Sequence, residues 1–124
     1  MAFLLVAVGG VLGANARYAV SQWAAARWGA AFPYGTLAIN ATGSLLLGSV
    51  LALDVARLGD NPDVKLLVTT GFLGAYTTFS TFAFETVALG RQRDHWPAVA
   101  NIVGSVALGL GGAALGVLLG GAGR

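Results

Sequence analysis

The composition of this 124-residue chain is that of a membrane protein. Apolar residues make up 56% of the chain and charged residues 10%, whereas soluble domains carry about 25% charged residues. The formal net charge of +2 is dispersed, with no run of Lys or Arg, which excludes a nucleic-acid-binding surface. Without cysteine there is no disulfide, no thiolate nucleophile and no cysteine-based metal site.

Four apolar segments are long enough to cross a bilayer, which needs about 20 largely apolar residues per helix. They predict an all-α membrane protein with four transmembrane helices, at about 2–26, 35–55, 64–89 and 97–120, in one domain that covers residues 1–124. The first segment lacks the basic start of a signal peptide, so we expect a retained helix. Pro33, Pro62 and Pro97 mark the starts of the other three helices.

The basic residues of the connections are balanced between the two sides of the membrane. Three lie on the side of the termini and three on the opposite side: Arg57, Lys65 and Arg124, against Arg27, Arg91 and Arg93. Orientation follows the Lys and Arg excess on one side, and here the excess is zero. We therefore expect insertion in both orientations and an antiparallel two-fold dimer with its axis in the membrane plane.

Small residues recur at helix-packing spacing in every predicted helix, including a stripe in the fourth helix that contains Gly112, Gly116 and Gly120. Such residues let helix backbones approach closely in lipid. The sequence also contains an internal echo, in which the spacing of Asn40 and Ser44 recurs at Asn101 and Ser105. Two parallel helices therefore each place an amide and a hydroxyl at membrane depth.

Ionisable residues within the predicted spans are few, and they are candidates for function because charges are costly in a bilayer. They are Arg17 and Glu85, for which snorkelling to a helix end is the alternative. No base lies beside a nucleophile and no carboxylates are paired, so no enzyme site is expected. The single histidine, His95, lies in a short charged connection.

The stretch GFLGAYTTFSTF, residues 71–82, predicts a local helix break near residues 75–78. Its glycines weaken the helix, and its hydroxyl side chains offer partners for the freed backbone groups. Carbonyl groups at such a break favour a cation, and two copies on a two-fold axis would enclose one small cation. Phe79 and Phe82 follow on one helical face, where their ring edges would suit an anion or where the rings would simply pack in the core.

Three motifs then closely resemble the Fluc/CrcB family of fluoride channels. They are GGVLGANARY (9–18), YGTLAINATGSLLLG (34–48) and GFLGAYTTFSTF (71–82), and the agreement in spacing and length extends over essentially the whole chain. The resemblance implies an antiparallel, dual-topology dimer of four-helix subunits, expected here to be a homodimer. Such a dimer has two pores and exports toxic fluoride passively across the inner (plasma) membrane of a prokaryote.

The resemblance also implies roles for particular residues. Phe79 and Phe82 resemble paired phenylalanines whose ring edges contact fluoride, and Asn40 resembles the amide that orients those rings. Gly74 and Thr77 resemble residues whose main-chain carbonyls hold a structural sodium ion at the dimer centre. Ser105 resembles a hydroxyl of the family's polar track, Arg17 its first-helix arginine and Glu85 its third-helix acid. The further candidate pore residues are Thr36, Thr78, Ser80 and Asn101. Asn101 departs from the family, which commonly has tyrosine there.

Two other classes of protein compete with the channel. A small proton-coupled cation exporter of the four-helix, dual-topology type needs a carboxylate deep in a helix, commonly the first, but the first segment here has Arg17 and no acid. A purely structural membrane module would explain the glycine stripe. It would leave two phenylalanines beside four hydroxyl residues as a coincidence.

Overall fold

The structure, a computed structural model, describes residues 1–53 and 61–122. Within these ranges the chain forms six α-helices and one π-helix: α1 (Ala2–Trp28), α2 (Tyr34–Leu53), α3 (Pro62–Lys65), the π-helix (Leu66–Leu73), α4 (Gly74–Tyr76), α5 (Phe79–Gly90) and α6 (Trp96–Gly121). The predicted all-helical class is confirmed there. Arg57, Arg124 and the end of the second predicted span, residues 54–55, lie outside the described residues.

Three of the described helices, α1, α2 and α6, are long and apolar enough to span a membrane. Their described ends agree with the first, second and fourth predicted spans to within two residues. Most of their surface faces outward, as expected for helices surrounded by lipid. The third predicted span, 64–89, falls on α3, the π-helix, α4 and α5, so the fourth membrane crossing stays a prediction.

The predicted proline positions are confirmed at all three helix starts. Pro33 directly precedes α2, Pro62 is the first residue of α3, and Pro97 is the second residue of α6. A proline is tolerated there because the first N–H groups of a helix have no intrahelical partner. Asn61 strengthens the start of α3, where its side chain accepts a hydrogen bond from the Val64 N–H at 3.3 Å.

Helices α2 and α6 pack against each other through the predicted glycine stripe. A Cβ atom on Gly112 would lie 2.9 Å from the Ala41 carbonyl oxygen, and one on Gly120 would lie 2.5 Å from the Ser49 carbonyl oxygen. These distances are too short for a side chain. The glycines therefore allow the two backbones to touch, which is how helices associate where no hydrophobic effect drives them together.

The other close pair is α1 against the π-helix. A Cβ atom on Gly71 would lie 3.0 Å from the Gly9 Cα atom, so this pair too depends on glycine. Next to it lies a small buried core of Ile39, Leu73 and Tyr76. The π-helix, with its wider turns, was not expected from the sequence; such segments are rare and frequently occur at functional sites.

The helical path stops at Thr77 and Thr78, between α4 and α5. Thr77 has φ −77° and ψ 155°, while Thr78 has φ −150° and ψ 115°, and both are extended conformations. Helix α4 has α1, the π-helix and α2 as neighbours, so the extended pair lies inside the helix bundle. Its backbone groups therefore need hydrogen-bond partners other than water.

Candidate functional site

The side chain of Asn40 is paired with the backbone of Thr78. Asn40 Nδ2 donates to the Thr78 carbonyl oxygen at 3.0 Å, and Asn40 Oδ1 accepts from the Thr78 N–H at 2.8 Å. The amide thus replaces the helical partners that an extended residue loses, and it ties α2 to the start of α5. One N–H of the Asn40 amide is used in this pair, and its second is available for another acceptor.

The same contacts release two main-chain carbonyls from helical hydrogen bonding. In an unbroken α-helix Gly74 would accept from the Thr78 N–H, and Thr77 would accept from the Thr81 N–H. Here the Thr78 N–H donates to Asn40 Oδ1, and the Thr81 N–H donates to Thr78 Oγ1 at 3.2 Å. Gly74 and Thr77 are the two residues to which the family resemblance gives the carbonyls of a sodium site, and both carbonyls have lost the usual donor.

The hydroxyl of Thr78 organises the first turn of α5. It accepts from the Thr81 N–H, which makes Thr78 the N-cap of the helix. It also donates to Thr81 Oγ1 at 2.9 Å and lies 3.4 Å from Ser80 Oγ. Three hydroxyls are therefore clustered at the amino terminus of α5, where the helix dipole favours negative charge.

Phe79 and Phe82 lie on the first turn of α5 with their ring centroids 5.7 Å apart and their planes inclined by 51°. Phe82 is partly buried, whereas Phe79 is 79% exposed. The two rings share one face, as the spacing predicted. A large exposed ring beside a hydroxyl cluster does not belong to the core of this subunit.

A second polar group connects α6 to α5. Asn101 Nδ2 donates to Thr86 Oγ1 at 2.9 Å, and the Thr86 hydroxyl donates to the Phe82 carbonyl oxygen at 2.7 Å. On the other side of the amide, Ser105 Oγ lies 3.5 Å from Asn101 Oδ1. Asn101 is 1% exposed, so it is a fully enclosed hydrogen-bonding group.

The remaining candidates lie nearer the α1–α2 connection. Thr36 Oγ1 donates to Glu85 Oε1 at 2.9 Å. The other carboxylate oxygen, Oε2, is enclosed and has no hydrogen-bond partner among the residues that the structure describes. Arg17 lines a cleft of about 300 Å³ together with the hydroxyl residues Ser21, Thr36, Thr78 and Thr81.

An open groove of about 320 Å³ runs beside the extended residues. It is lined by Asn40 and Ser44 of α2, by Gly74 and by Thr77, together with neighbouring residues of both helical segments. In the described ranges, 1–53 and 61–122, no three or more His, Cys, Asp or Glu side chains come together as a metal site. The polar residues that line the groove carry main-chain, hydroxyl and amide oxygens.

Sequence reasoning missed one hydroxyl group and one further contact that the structure brings to the site. Thr86 was not among the candidates, although it stands four residues after Phe82, the spacing at which a threonine hydroxyl reaches a helical carbonyl. Thr42 Oγ1 lies 3.0 Å from the Tyr76 hydroxyl, which links α2 to α4. That second contact joins residues 34 positions apart and has no local signal.

The chain resembles known proteins along nearly its whole length. Residues 4–117 match a family model described as CrcB-like protein, Camphor Resistance (CrcB). A relative from Roseiflexus sp. (strain RS-1), named fluoride-specific ion channel FluC, is 46% identical over 116 residues, which are 94% of each chain. Proteins of the same name from Acidobacterium capsulatum and Solibacter usitatus are 46% and 42% identical, over 97% and 96% of this chain and 96% and 98% of their own.

The family model covers all of the elements that make up the site, from α1 to most of α6. The relatives match over almost their entire lengths, so the likeness is not confined to one motif. This helical membrane protein therefore belongs to the CrcB family.

Proposed function

We propose that this chain forms a fluoride-selective passive channel that exports fluoride from the prokaryotic cytoplasm and so protects the cell against fluoride toxicity. The observation that carries the proposal is the likeness, over nearly the whole chain, to relatives named fluoride-specific ion channels. The site residues are compatible with it because they combine neutral hydrogen-bond donors with two phenylalanine rings. No enzymatic step is part of the proposal.

The donors suit a small, strongly hydrated anion. A selective pore has to replace several water molecules at once, and it has to release the ion again. Asn40 retains one N–H, the Ser80 hydroxyl belongs to the cluster around Thr78, and the ring edges of Phe79 and Phe82 carry partial positive charge. The pore would continue past Thr36, Asn101 and Ser105.

The channel is expected to be an antiparallel dimer of identical subunits. In this arrangement residues 62–90 form the third membrane crossing, interrupted at Thr77 and Thr78, and each subunit crosses the membrane four times. The exposed ring of Phe79 supports this, since a ring that is 79% exposed in one subunit would be covered by the second. A partner surface would therefore complete the pore.

A sodium ion fits the interruption as a structural cofactor. The carbonyls of Gly74 and Thr77 have lost their helical donors, and released carbonyls at broken helices are typical ligands of sodium. Gly74 is exposed and has no side chain to block an approaching ion. On a two-fold axis, two copies would supply four oxygens, and the bound sodium ion would offset part of the repulsion between these oxygens.

Export needs no energy source other than the membrane potential. In acidic surroundings HF enters the cell as a neutral molecule and dissociates in the less acidic interior, and a negative interior then drives the anion out. A potential of 100 mV corresponds to about 2.3 kcal/mol per charge, or roughly a fiftyfold concentration ratio. A passive pore therefore suffices.

The test is ion efflux from liposomes that contain the purified protein. Vesicles loaded with potassium fluoride or potassium chloride are diluted into impermeant salt, and valinomycin clamps the potential. We expect fluoride efflux, read with an ion-selective electrode, and chloride retention. Equal efflux of both anions would contradict the proposal. Resistance to cationic drugs without any fluoride phenotype would favour the proton-coupled exporter instead, although α1 contains no acidic residue.

A further inference from the structure

The matching positions of α2 and α6 provide two amides, one from each helix, which bind at two different points of α5 and its N-cap. Asn40 of α2 binds the backbone of Thr78, and Asn101 of α6 binds the hydroxyl of Thr86. The two attachment points are eight residues apart, which is about 12 Å along an α-helix. The segment between them contains both Phe79 and Phe82. Corresponding positions of the two helices therefore hold α5 at both ends of its first two turns.

The contact at Thr86 reaches the backbone of Phe82 in two steps. The Asn101 amide donates to Thr86 Oγ1, and the Thr86 hydroxyl donates to the Phe82 carbonyl. A threonine hydroxyl that binds its own helix normally needs no second partner. Here the second partner is Asn101, which lies on another helix, is 1% exposed and donates to the Thr86 hydroxyl. Removing that hydroxyl would leave the buried Asn101 donor unpaired.

We propose that Asn101 and Thr86 form a positioning clamp for the Phe82 ring and that fluoride conduction depends on the Thr86 hydroxyl. The proposal rests on the channel function proposed above. It assigns Asn101 an action through Thr86 rather than a direct contact with the anion.

The first test compares two substitutions of one side chain in liposome efflux. Thr86→Val removes the hydroxyl but keeps the shape, and we expect fluoride efflux to fall about tenfold, the effect of one lost hydrogen bond at a buried donor. Thr86→Ser keeps the hydroxyl and should stay within about twofold of the unsubstituted protein. Thr86→Ala, with no added bulk, is measured alongside in case the valine variant does not assemble.

A matched control is available on α2. Ser49 Oγ donates only to the Leu45 carbonyl at 2.9 Å, four residues earlier in its own helix. Ser49→Ala therefore removes the same type of local hydrogen bond without affecting α5. Efflux through this variant should equal that of the unsubstituted protein, and an equal loss in Ser49→Ala and Thr86→Val would overturn the proposal.

The second test reads the ring itself. With 4-fluorophenylalanine at position 82, the ¹⁹F resonance should shift or broaden in Thr86→Val and in Asn101→Leu. A label at Phe3, which is exposed at the start of α1, should not change. The double variant should conduct no worse than either single variant, because both remove one clamp. Additive losses would contradict the clamp, as would an unchanged ¹⁹F signal at position 82.

The outcomes separate this inference from the channel proposal. If the unsubstituted protein passes fluoride and Phe82→Ile does not, but Thr86→Val and Thr86→Ala both conduct normally, the clamp is wrong and the channel stands. If the unsubstituted protein passes no fluoride, the channel proposal fails first. The ¹⁹F comparison then still decides whether Thr86 positions the ring.

Discussion

Replacing Asn40 by aspartate tests the pairing of α2 with the start of α5. The aspartate keeps an acceptor for the Thr78 N–H, now 2.8 Å away, but it loses the N–H that donates to the Thr78 carbonyl at 3.0 Å. A carboxylate oxygen then faces a carbonyl oxygen. One lost hydrogen bond costs about 1 kcal/mol and a buried unpaired acceptor about 1–3 kcal/mol more, together roughly a 30-fold to 900-fold effect.

We therefore expect Asn40→Asp to lower fluoride efflux from liposomes by about two orders of magnitude. The loss has two sources, since the carboxylate also repels the anion where the amide would donate to it. Ser49→Ala on the same helix is the control for expression and reconstitution. We expect the dimer to persist on a sizing column, and the close glycine contacts between α2 and α6 are made by other residues of α2. Efflux through Asn40→Asp within a factor of two of the unsubstituted protein would refute the assignment.

Three further results are expected. Phe82→Ile should reduce fluoride efflux to the background of empty vesicles, because isoleucine has no electropositive ring edge. Residual fluoride-selective efflux would mean that the pore does not depend on the Phe82 ring. Gly112→Val should destabilise the subunit by about 1–3 kcal/mol, since its Cβ would lie 2.9 Å from a carbonyl oxygen of α2, whereas Gly111→Val points into open space and should leave the melting temperature unchanged. Replacing sodium by N-methylglucamine should lower the melting temperature of the dimer if the carbonyls of Gly74 and Thr77 hold the ion, and a melting temperature independent of sodium would contradict that site.

Local features of the sequence were enough to find the helices that are long and apolar enough to cross a membrane. Hydropathy predicted α1, α2 and α6 to within two residues at their described ends, and the three prolines marked the starts of α2, α3 and α6. Both signals act within one segment, because a helix must match the bilayer thickness and a proline lacks its own N–H. The glycine stripe of α6 was also readable, since the spacing of small residues reports the packed face of a helix.

The hydrogen-bond partners of the site were not readable in the same way. Asn40 and Thr78 are 38 positions apart, and Asn101 and Thr86 are 15 apart. Many hydroxyl and amide groups in the chain could form hydrogen bonds with one another. Which of these bonds form depends on where the packed helices place the groups. The π-helix Leu66–Leu73 was missed for a similar reason: its sequence, LLVTTGFL, is as compatible with an ordinary helix.

The order of residues alone thus determined that the chain is a helical membrane protein with a motif of glycine, hydroxyl and phenylalanine residues in its third apolar segment. Only the tertiary structure decided that the Asn40 amide of α2 forms hydrogen bonds with the backbone of Thr78. It also decided that the Asn101 amide of α6 binds Thr86 on the helix that carries Phe82. The physical reason is that burial in lipid and helix propensity are properties of short segments. A hydrogen bond between helices depends instead on how closely glycines let their backbones approach.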